Sequence, residues 1–206
     1  MFHVTSSVAD DMPETHLRAM FEARKSVFVD LLKWDVPVLD GRYEIDQFDD
    51  EHAHYLVLTD GDGRHLGSAR LLPTLRAHIL GTFYPQLCDH GPPTGETIYE
   101  ITRFCLDRRL RALERRAVRN TLVRALVDHA LAQGITRYSA IAELGWFQQI
   151  LAFGWECWPL GPPRHIDGAA LAALAITIDA TTPTLLEAAG IRADVLPMVG
   201  HHRRAA

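Results

Sequence analysis

The sequence predicts an α/β fold, a sandwich built around a mixed β-sheet, and three observations support this assignment. Short apolar runs typical of strands recur along the chain. Between them lie segments whose apolar residues recur every three or four positions, which is the period of an amphipathic helix. The 206 residues are 48% hydrophobic and 23% charged, a composition that supports a buried core. We therefore expect one domain over residues 1–206, with helices packed on a sheet.

The first half of the chain predicts strands, one helix and a long loop. "MFHVT" alternates weakly, as a strand does, and the apolar residues of Met12–Leu32 have helical spacing. "WDVPVLDGRYEIDQFDD" contains Pro37 and Gly41 and has no period, so we expect a loop there. "HAHYLVLTD" and "HLGSARLLPT" then predict a hairpin that turns at "GDG". A loop of this length within a compact domain is often functional.

The second half alternates between the two element types. "ETIYEITRFCL", "TRYSAIAE" and "WECWPLG" predict strands, and "LGWFQQILAF" predicts a helix. A long helix is expected from Arg108 to Gln133, where Gly134 ends it. "TPTLLEAAG" predicts a short helix that stops at Gly190, whereas "LAALAITID" is compatible with either a strand or a helix.

Composition excludes several classes of protein. The net charge of -5 argues against general nucleic-acid binding. The longest apolar run, "GAALAALAITI", is well short of the roughly 20 residues that span a bilayer, and the first twenty residues do not resemble a secretory signal. We therefore expect a cytoplasmic protein with no membrane partner. The three cysteines share no C-x-x-C spacing, so we interpret them as buried thiols.

Histidines give a weak metal signal. His52 and His54 form an H-x-H pair that would share one face of a strand, and His201 and His202 lie near the end of the chain. No third ligand with suitable spacing is evident, so we predict surface histidines and no metal site.

The stretch "EIDQFDDEHAHYL" concentrates carboxylates beside an apolar strand, and two arginines are placed to balance them. Arg24 falls on the apolar face of the first helix, and Arg70 lies within a strand that resembles a core strand. A buried guanidinium is costly unless carboxylates meet it in good geometry. We therefore expect these arginines to clamp the loop through the nearby carboxylates, which are Glu44, Asp46 and Asp49.

This clamp has two interpretations. It could be an ion-pair network that only fastens the loop. It could also fold an acidic and aromatic lid over a cationic ligand, with Phe28 and Trp34 offering ring faces to the cation. Phe28 also has the spacing of an ordinary core residue.

Several motifs together resemble one known family. "R…VFVDLLKWDVP", "EIDQFD", "GSARLLPT" and "YEITRFCL" occur in order over Arg24 to about Leu106. They resemble the acyl-homoserine lactone synthases, the LuxI-type autoinducer synthases of quorum sensing. The resemblance implies a three-layer sandwich with a mixed, splayed sheet, similar to the GCN5-type N-acetyltransferases. It implies S-adenosylmethionine and an acyl thioester of acyl carrier protein (acyl-ACP) or coenzyme A (acyl-CoA) as co-substrates, with no bound cofactor.

The resemblance also implies roles for individual residues. Glu100 is the candidate catalytic base that deprotonates the amine of S-adenosylmethionine through a water molecule. Its alternative role is that of a structural partner for an arginine. Glu100 and Arg103 are three residues apart, so in a regular strand they face opposite ways. The substrate-binding and lid residues implied are Arg24, Phe28, Trp34, Glu44, Asp46, Asp49, Arg70 and Arg103.

An arginine-rich segment follows the predicted strand "ETIYEITRFCL". "DRRLRALERR" stands where acetyltransferases of the wider fold have a glycine-rich turn for the pyrophosphate of coenzyme A. We expect Arg108, Arg109 and Arg111 to bind phosphate on coenzyme A or on the phosphopantetheine of a carrier protein. For the more distant Arg119 and Arg124, an ordinary solvated basic face is equally compatible.

Three residues are predicted to line the acyl pocket. Ala142 stands where family members that make 3-oxo products tend to have a hydroxyl, so we expect a product without a 3-oxo group. Trp146 and Ile150 share one helix face with Phe153, and core packing is their alternative role. If Trp146 projects into the pocket, its bulk favours a short, branched or aromatic acyl chain. Such chains are available as coenzyme A thioesters.

Two other functions remain open at this point. An N-acyl amino acid synthase would share the fold and the thioester but would not consume S-adenosylmethionine. A non-catalytic module that binds acyl carrier protein or S-adenosylmethionine would form no product.

Overall fold

The computed structural model describes residues 2–192, and strands are its main framework. They are β1 (His3–Val8), β2 (Val38–Leu39), β3 (Tyr43–Glu44), β4 (His54–Thr59), β5 (His65–Pro73), β6 (Ile98–Leu106), β7 (Arg137–Glu143), β8 (Cys157–Pro159), β9 (Arg164–Ile166) and β10 (Ala169–Thr177). The helices are α1 (Glu14–Arg24), α2 (Ile79–Phe83), α3 (Ala112–Gln133), α4 (Leu144–Leu151) and α5 (Thr182–Ala188).

The strands form a mixed sheet and a small separate hairpin. The order in the main sheet is β1-β4-β5-β6-β7-β10-β8, and β9 pairs with β10. Strand β6 pairs with β7 in parallel over Ile98–Ile101 and Arg137–Ala140, and both strands continue beyond these residues. The pairs β1–β4 and β7–β10 are antiparallel. Strands β2 and β3 form the hairpin.

Within residues 2–192 the chain divides into two compact units. One unit comprises the chain up to Ala69 together with Arg103–Leu122. The other comprises Arg70–Thr102 and Val123–Arg192. Strands β5 and β6 and helix α3 therefore each contribute residues to both units. The single domain over residues 1–206 stays a prediction.

The first unit has a core of aliphatic and aromatic side chains from α1 and β4. Met20 of α1 is buried, and Phe21 meets Tyr55 of β4 edge to face with ring centroids 6.2 Å apart. Gly67 allows a close approach, because a Cβ atom there would lie 3.0 Å from Val118 Cγ1 and 3.3 Å from the Cys105 carbonyl oxygen. Any side chain at this position of β5 would therefore push α3 away.

The second unit packs β7 and β10 between helices. Tyr138 of β7 is buried and donates its hydroxyl proton to the Leu126 carbonyl oxygen of α3 at 3.0 Å. Residues two apart on a strand point to the same face, so the neighbours of Tyr138 point away from this contact. That second face holds a buried cluster of Leu80, Leu87 and Ala173, against which Ile141 packs.

Most elements agree with those predicted, but several differ. The predicted loop contains the hairpin β2–β3, the first helix ends at Arg24 rather than at Leu32, and strand β9 was not predicted. The ambiguous segment "LAALAITID" lies in strand β10. The long helix begins at Ala112 rather than at Arg108, because Leu110 and its neighbours form turns in which Asp107 accepts from the Arg109 amide. Helix α2 has only five residues, too few for its period to be recognised in sequence.

Candidate active site

The first helix changes its winding just before the predicted lid loop. After α1, residues Lys25–Val29 form a π-helical turn, in which the Asp30 amide donates to the Lys25 carbonyl. Single π-helical turns are rare and often occur at functional sites. The extra residue in this turn places Phe28 inward, where it is buried. The amide of Trp34 then donates to the Phe28 carbonyl at 2.8 Å and brings the loop back towards the turn.

Arg24 is a fully buried cation in this unit, and two carboxylates neutralise it. Its Nη1 and Nη2 atoms donate to the two carboxylate oxygens of Asp49, both at 2.8 Å, and its Nε donates to Glu44. Tyr55 adds a hydroxyl hydrogen bond to Asp49 at 2.9 Å. Burial opposes the charge on Arg24, but the bonds to Asp49 and Glu44 outweigh it and raise the pKa of the guanidinium. The predicted clamp between α1 and the loop is therefore present.

A second arginine completes the network from strand β6. Arg103 donates from Nη2 to Asp46 at 2.7 Å and to Glu44 at 2.9 Å. Glu44 thus lies between two guanidinium groups. The backbone of Arg103 has a φ of 49°, in the left-handed region that non-glycine residues rarely adopt. The regular alternation expected between Glu100 and Arg103 is therefore interrupted at Arg103, which is a strained position of the kind found in active sites.

The two predicted aromatic residues stack on each other. The rings of Phe28 and Trp34 are nearly parallel, at 9°, with centroids 4.7 Å apart. The Arg103 guanidinium carbon lies 5.7 Å from the Phe28 centroid. Phe28 is buried, whereas Trp34 is 38% exposed. The exposed indole of Trp34 is thus the aromatic surface that a cationic ligand can reach without displacing another side chain.

The second unit holds Arg70 and Glu100, both almost completely buried. Arg70 donates from Nε to the Thr102 hydroxyl at 3.0 Å. One oxygen of Glu100, Oε1, accepts the backbone N–H of Leu80 in the first turn of α2 at 3.0 Å. Glu100 therefore has a structural contact with a helix amide, and its pairing with an arginine stays a prediction.

The predicted pocket residues belong to the same unit. Ala142 and Ile150 are buried, and Trp146 is half-buried against Phe153, with centroids 5.8 Å apart. Phe153 in turn meets Trp155 at 5.7 Å. Ile150 and Phe153 are thus buried, as their alternative packing role requires, and the pocket role of Ile150 stays a prediction. Sequence reasoning missed Trp155, whose indole N–H donates to the Ile150 carbonyl at 2.9 Å. Its position between two other aromatics in "FGWECWP" was the available signal.

The three arginines predicted to bind phosphate are not equivalent. Arg109 donates to both carboxylate oxygens of Asp107, from Nε to Oδ1 at 3.0 Å and from Nη2 to Oδ2. Burial opposes the charge of Asp107, but the Arg109 bonds lower its pKa overall. Arg108 and Arg111 are exposed. Further along α3, Arg124 donates to Asp128 and Glu187, both at 2.9 Å, so it has the role of a surface ion-pair residue.

Histidine placement differs from the expected pair. Strand β4 begins at His54, so His52 lies before it, 3.2 Å from a Glu51 oxygen, and the two do not share a strand face. His201 and His202 lie outside the described residues. Over residues 2–192 there is no group of three or more His, Cys, Asp and Glu side chains arranged to hold a metal ion. Within the same range no helix is both long and apolar enough to cross a membrane.

Comparison with known proteins assigns the chain to a family. The sequence profile of the autoinducer synthases matches residues 9–184. The chain belongs to the autoinducer synthase family. It is 32% identical over 193 residues to the acyl-homoserine-lactone synthase of Ralstonia nicotianae, covering 90% of this chain and 93% of that protein. It is 33% identical over 189 residues to the isovaleryl-homoserine lactone synthase of Bradyrhizobium diazoefficiens, covering 90% and 82%.

Solved structures agree with this assignment. The coenzyme A-dependent acyl-homoserine lactone synthase BjaI, determined with S-adenosylmethionine and isopentyl-CoA, has a TM-score of 0.84 at 30% identity, over 100% of this chain and 95% of that one. An acyl-CoA N-acyltransferase from Pseudomonas aeruginosa, at 18% identity and a TM-score of 0.57, shares the fold alone. The predicted family, the α/β acyltransferase fold and the acyl-homoserine-lactone synthase class of enzyme are thereby confirmed.

Proposed function

We propose that this autoinducer synthase transfers an acyl group from an acyl thioester to the amine of S-adenosylmethionine. The carboxylate of the acylated product then attacks the carbon beside the sulfonium, which closes the homoserine lactone and releases methylthioadenosine. The observation that carries the proposal is the buried network in which Arg24 and Arg103 hold Glu44, Asp46 and Asp49 in place. S-adenosylmethionine brings a sulfonium, an ammonium and a carboxylate, and charged groups held in fixed positions orient such a substrate.

In this proposal the carboxylates of the lid loop attract the cationic substrate, together with the exposed face of Trp34. Glu100 is the proposed base that removes a proton from the amine before it attacks the thioester carbonyl. Arg70 provides a buried cation for a substrate carboxylate.

The acyl donor is proposed to be a coenzyme A thioester with a short, branched or aromatic acyl group. Trp146 is half-buried and braced by Phe153, so its ring has a fixed place beside the end of β7. Ala142, buried on that strand, offers no hydroxyl to a 3-oxo group, so the product is proposed to lack one. The likeness to an isovaleryl-homoserine lactone synthase and to a structure with isopentyl-CoA supports the branched chain.

We propose that Arg108 and Arg111 bind the phosphate groups of the thioester carrier, because Arg109 is already paired with Asp107. Both exposed arginines can meet phosphate without breaking an ion pair with Asp107. Acyl carrier protein remains the alternative carrier, because its phosphopantetheine and acidic surface suit the same arginines.

The direct test is incubation of the protein with S-adenosylmethionine and a panel of acyl-CoA and acyl-ACP donors, followed by mass spectrometry of the organic extract. We expect an acyl-homoserine lactone and methylthioadenosine in equal amounts. An acylated amino acid formed without consumption of S-adenosylmethionine would identify an N-acyl amino acid synthase instead. Absence of any product, with S-adenosylmethionine still bound, would identify a binding module.

A further inference from the structure

Two buried polar atoms lie in the apolar part of the second unit. They are the hydroxyl oxygen of Ser139 and Nε2 of His78, whose residues are 0% and 4% exposed. Among residues 2–192 neither atom has a hydrogen-bonding partner in the protein. Buried polar atoms in native proteins are almost always hydrogen-bonded, and ordered water commonly supplies the missing bond. Both atoms therefore require a partner from outside residues 2–192.

Ser139 is a direct neighbour of the proposed catalytic base. In the parallel pairing of β6 and β7, Ser139 is opposite Glu100. Residues opposite each other in a sheet point to the same face, so both side chains lie on the face that carries α2. The contact of Glu100 with the Leu80 amide fixes which face this is. The unpartnered hydroxyl is thus beside the carboxylate.

His78 lies at the end of α2 that Glu100 also contacts. It is the N-cap residue of α2, directly before Ile79. Its ring packs against Gly81: a Cβ atom built on Gly81 would lie 2.9 Å from Nε2 of His78. Nδ1 of His78 lies 2.8 Å from the Arg76 carbonyl oxygen. A carbonyl only accepts, so Nδ1 carries the proton and Nε2 of the neutral ring is an acceptor.

These groups match the hydrogen bonds of one water molecule. A water donates two protons and accepts at its oxygen. Nε2 of His78 and the carboxylate of Glu100 are acceptors, whereas the hydroxyl of Ser139 can donate. We propose that His78 and Ser139 hold a buried water against Glu100. This positioning role rests on the proposed function, in which Glu100 takes the proton of the substrate amine through a water molecule.

The proton transfer balances without any further reactant. The ammonium group of the substrate gives one proton to the water oxygen while the water gives one of its own protons to Glu100. The products are a neutral amine, a neutral carboxylic acid and an unchanged water. His78 and Ser139 are positioning residues in this scheme, because they act through the water and do not gain or lose a proton.

The first test is a crystal structure of the protein at high resolution. We expect one ordered water within about 3.2 Å of Ser139 Oγ, His78 Nε2 and a carboxylate oxygen of Glu100. This result does not depend on the proposed acyltransferase activity. If no water lies within that distance of both Ser139 and His78, the proposal is overturned, whatever the enzyme's turnover.

The second test is kinetic and rests on the proposed function. Ser139→Ala should lower kcat by about 10- to 100-fold, less than the roughly 10²- to 10⁴-fold of a group that itself transfers the proton, with KM for S-adenosylmethionine unchanged. His78→Asn keeps a donor for the Arg76 carbonyl but lacks Nε2, so it should lower kcat by the same factor as Ser139→Ala. His78→Gln places an amide oxygen near the position of Nε2, and it should recover part of the rate.

A matched control separates this role from simple packing. Thr121 of α3 is also buried, and its hydroxyl has no protein partner in the described chain. Thr121→Val should keep the wild-type kcat. Thermal unfolding of each variant checks that it is folded.

A wild-type kcat in Ser139→Ala, or an equal loss of kcat in Thr121→Val, would refute the relay. A well-ordered water in a protein that does not acylate S-adenosylmethionine would refute the proton transfer and identify the failure as one of the proposed function.

Discussion

At the scale of single residues, Glu100 combines a structural contact with the proposed catalytic role. Its Oε1 accepts the Leu80 amide, which ties α2 to β6. A glutamine keeps an acceptor oxygen for that amide but is not a base. The two roles can therefore be separated by one substitution.

We expect Glu100→Gln to lower amide formation by about 100-fold or more, because a general base typically contributes 10²- to 10⁴-fold. Binding of S-adenosylmethionine, measured by calorimetry, and the thermal unfolding temperature should remain close to those of the wild type. Glu100→Ala serves as the comparison, since it also removes the contact with Leu80 and should lower the unfolding temperature. Near wild-type turnover in Glu100→Gln would remove this residue from the mechanism.

Another buried residue gives the stability a dependence on pH. His65 lies 2.9 Å from the Ser68 hydroxyl through Nε2. Burial lowers its pKa from 6.5 to about 4, with Asp107 opposing this change and Arg109 adding to it. The unfolded chain therefore binds a proton at a higher pH than the folded protein does. The contribution of His65 to the free energy of unfolding is therefore fully present above pH 6.5. It is lost as the pH falls from 6.5 towards 4.

The expected loss is about 3 kcal/mol of unfolding free energy between pH 6.5 and pH 4. Urea unfolding at several pH values measures it. In His65→Gln, which does not titrate, the slope over this range should be smaller, whereas Ser68→Ala retains the imidazole and should retain the slope. An unchanged slope in His65→Gln would show that His65 is not the group responsible.

At the scale of elements, the lid loop is held by α1 and β6 through a shared carboxylate. Glu44 pairs with both Arg24 and Arg103, Asp49 pairs with Arg24, and Asp46 pairs with Arg103. Loss of any one member leaves a buried charge with fewer counter-ions than it has in the intact network. The loop is therefore fastened as one unit.

We expect Arg24→Met to lower the free energy of unfolding by about 3–5 kcal/mol, as for a buried ion pair that loses one partner. The matched control is Arg42→Ala, since Arg42 pairs with Glu22 at an exposed site, with 64% of the arginine side chain accessible. That change should cost less than about 1 kcal/mol. In a double-mutant cycle, Arg24→Met with Asp49→Asn should cost less than the sum of the single changes. Additive costs would contradict the shared network.

Helix α4 and the end of β7 carry the prediction for the acyl chain. Trp146→Ala should shift donor preference towards longer acyl chains, because it removes the bulk proposed to close the pocket. Competition among acyl-CoA donors, with products quantified by mass spectrometry, measures the shift. Trp158→Ala is the control, since Trp158 lies on β8 under Arg137, and it should leave the order of donors unchanged. A wild-type preference for chains of about ten carbons, unchanged in Trp146→Ala, would defeat the pocket argument.

At the scale of the whole molecule, the cysteines report on global unfolding. Cys105 is fully buried, and burial raises its pKa to about 12. Cys157 and Cys88 are half-buried, and burial raises the pKa of each as well. The sequence suggested three buried thiols, and this holds in full only for Cys105.

We expect alkylation of Cys105 at pH 8 to proceed at the rate of global unfolding, because the thiolate is the reactive form and is inaccessible in the folded state. Iodoacetamide labelling with mass spectrometry, repeated at rising urea concentration, measures this rate. Cys88 and Cys157 should be alkylated faster, because local unfolding of the protein is enough to expose them. Labelling of Cys105 as fast as the other two would show that its site opens locally.

The sequence determined the family, the type of nearly every element and the composition of the lid network. The order of the motifs identifies the family, and the period of the hydrophobic residues predicts the helices and strands. A buried arginine predicts nearby carboxylates, because an unpaired buried charge is costly. Only the tertiary structure decided that Asp49 meets Arg24 while Asp46 meets Arg103, because these partners lie 25 and 57 residues apart and their pairing depends on the path of the loop. The register that places Ser139 beside Glu100 is equally invisible in sequence, since a shift of one residue would turn every side chain of β7 to the other face.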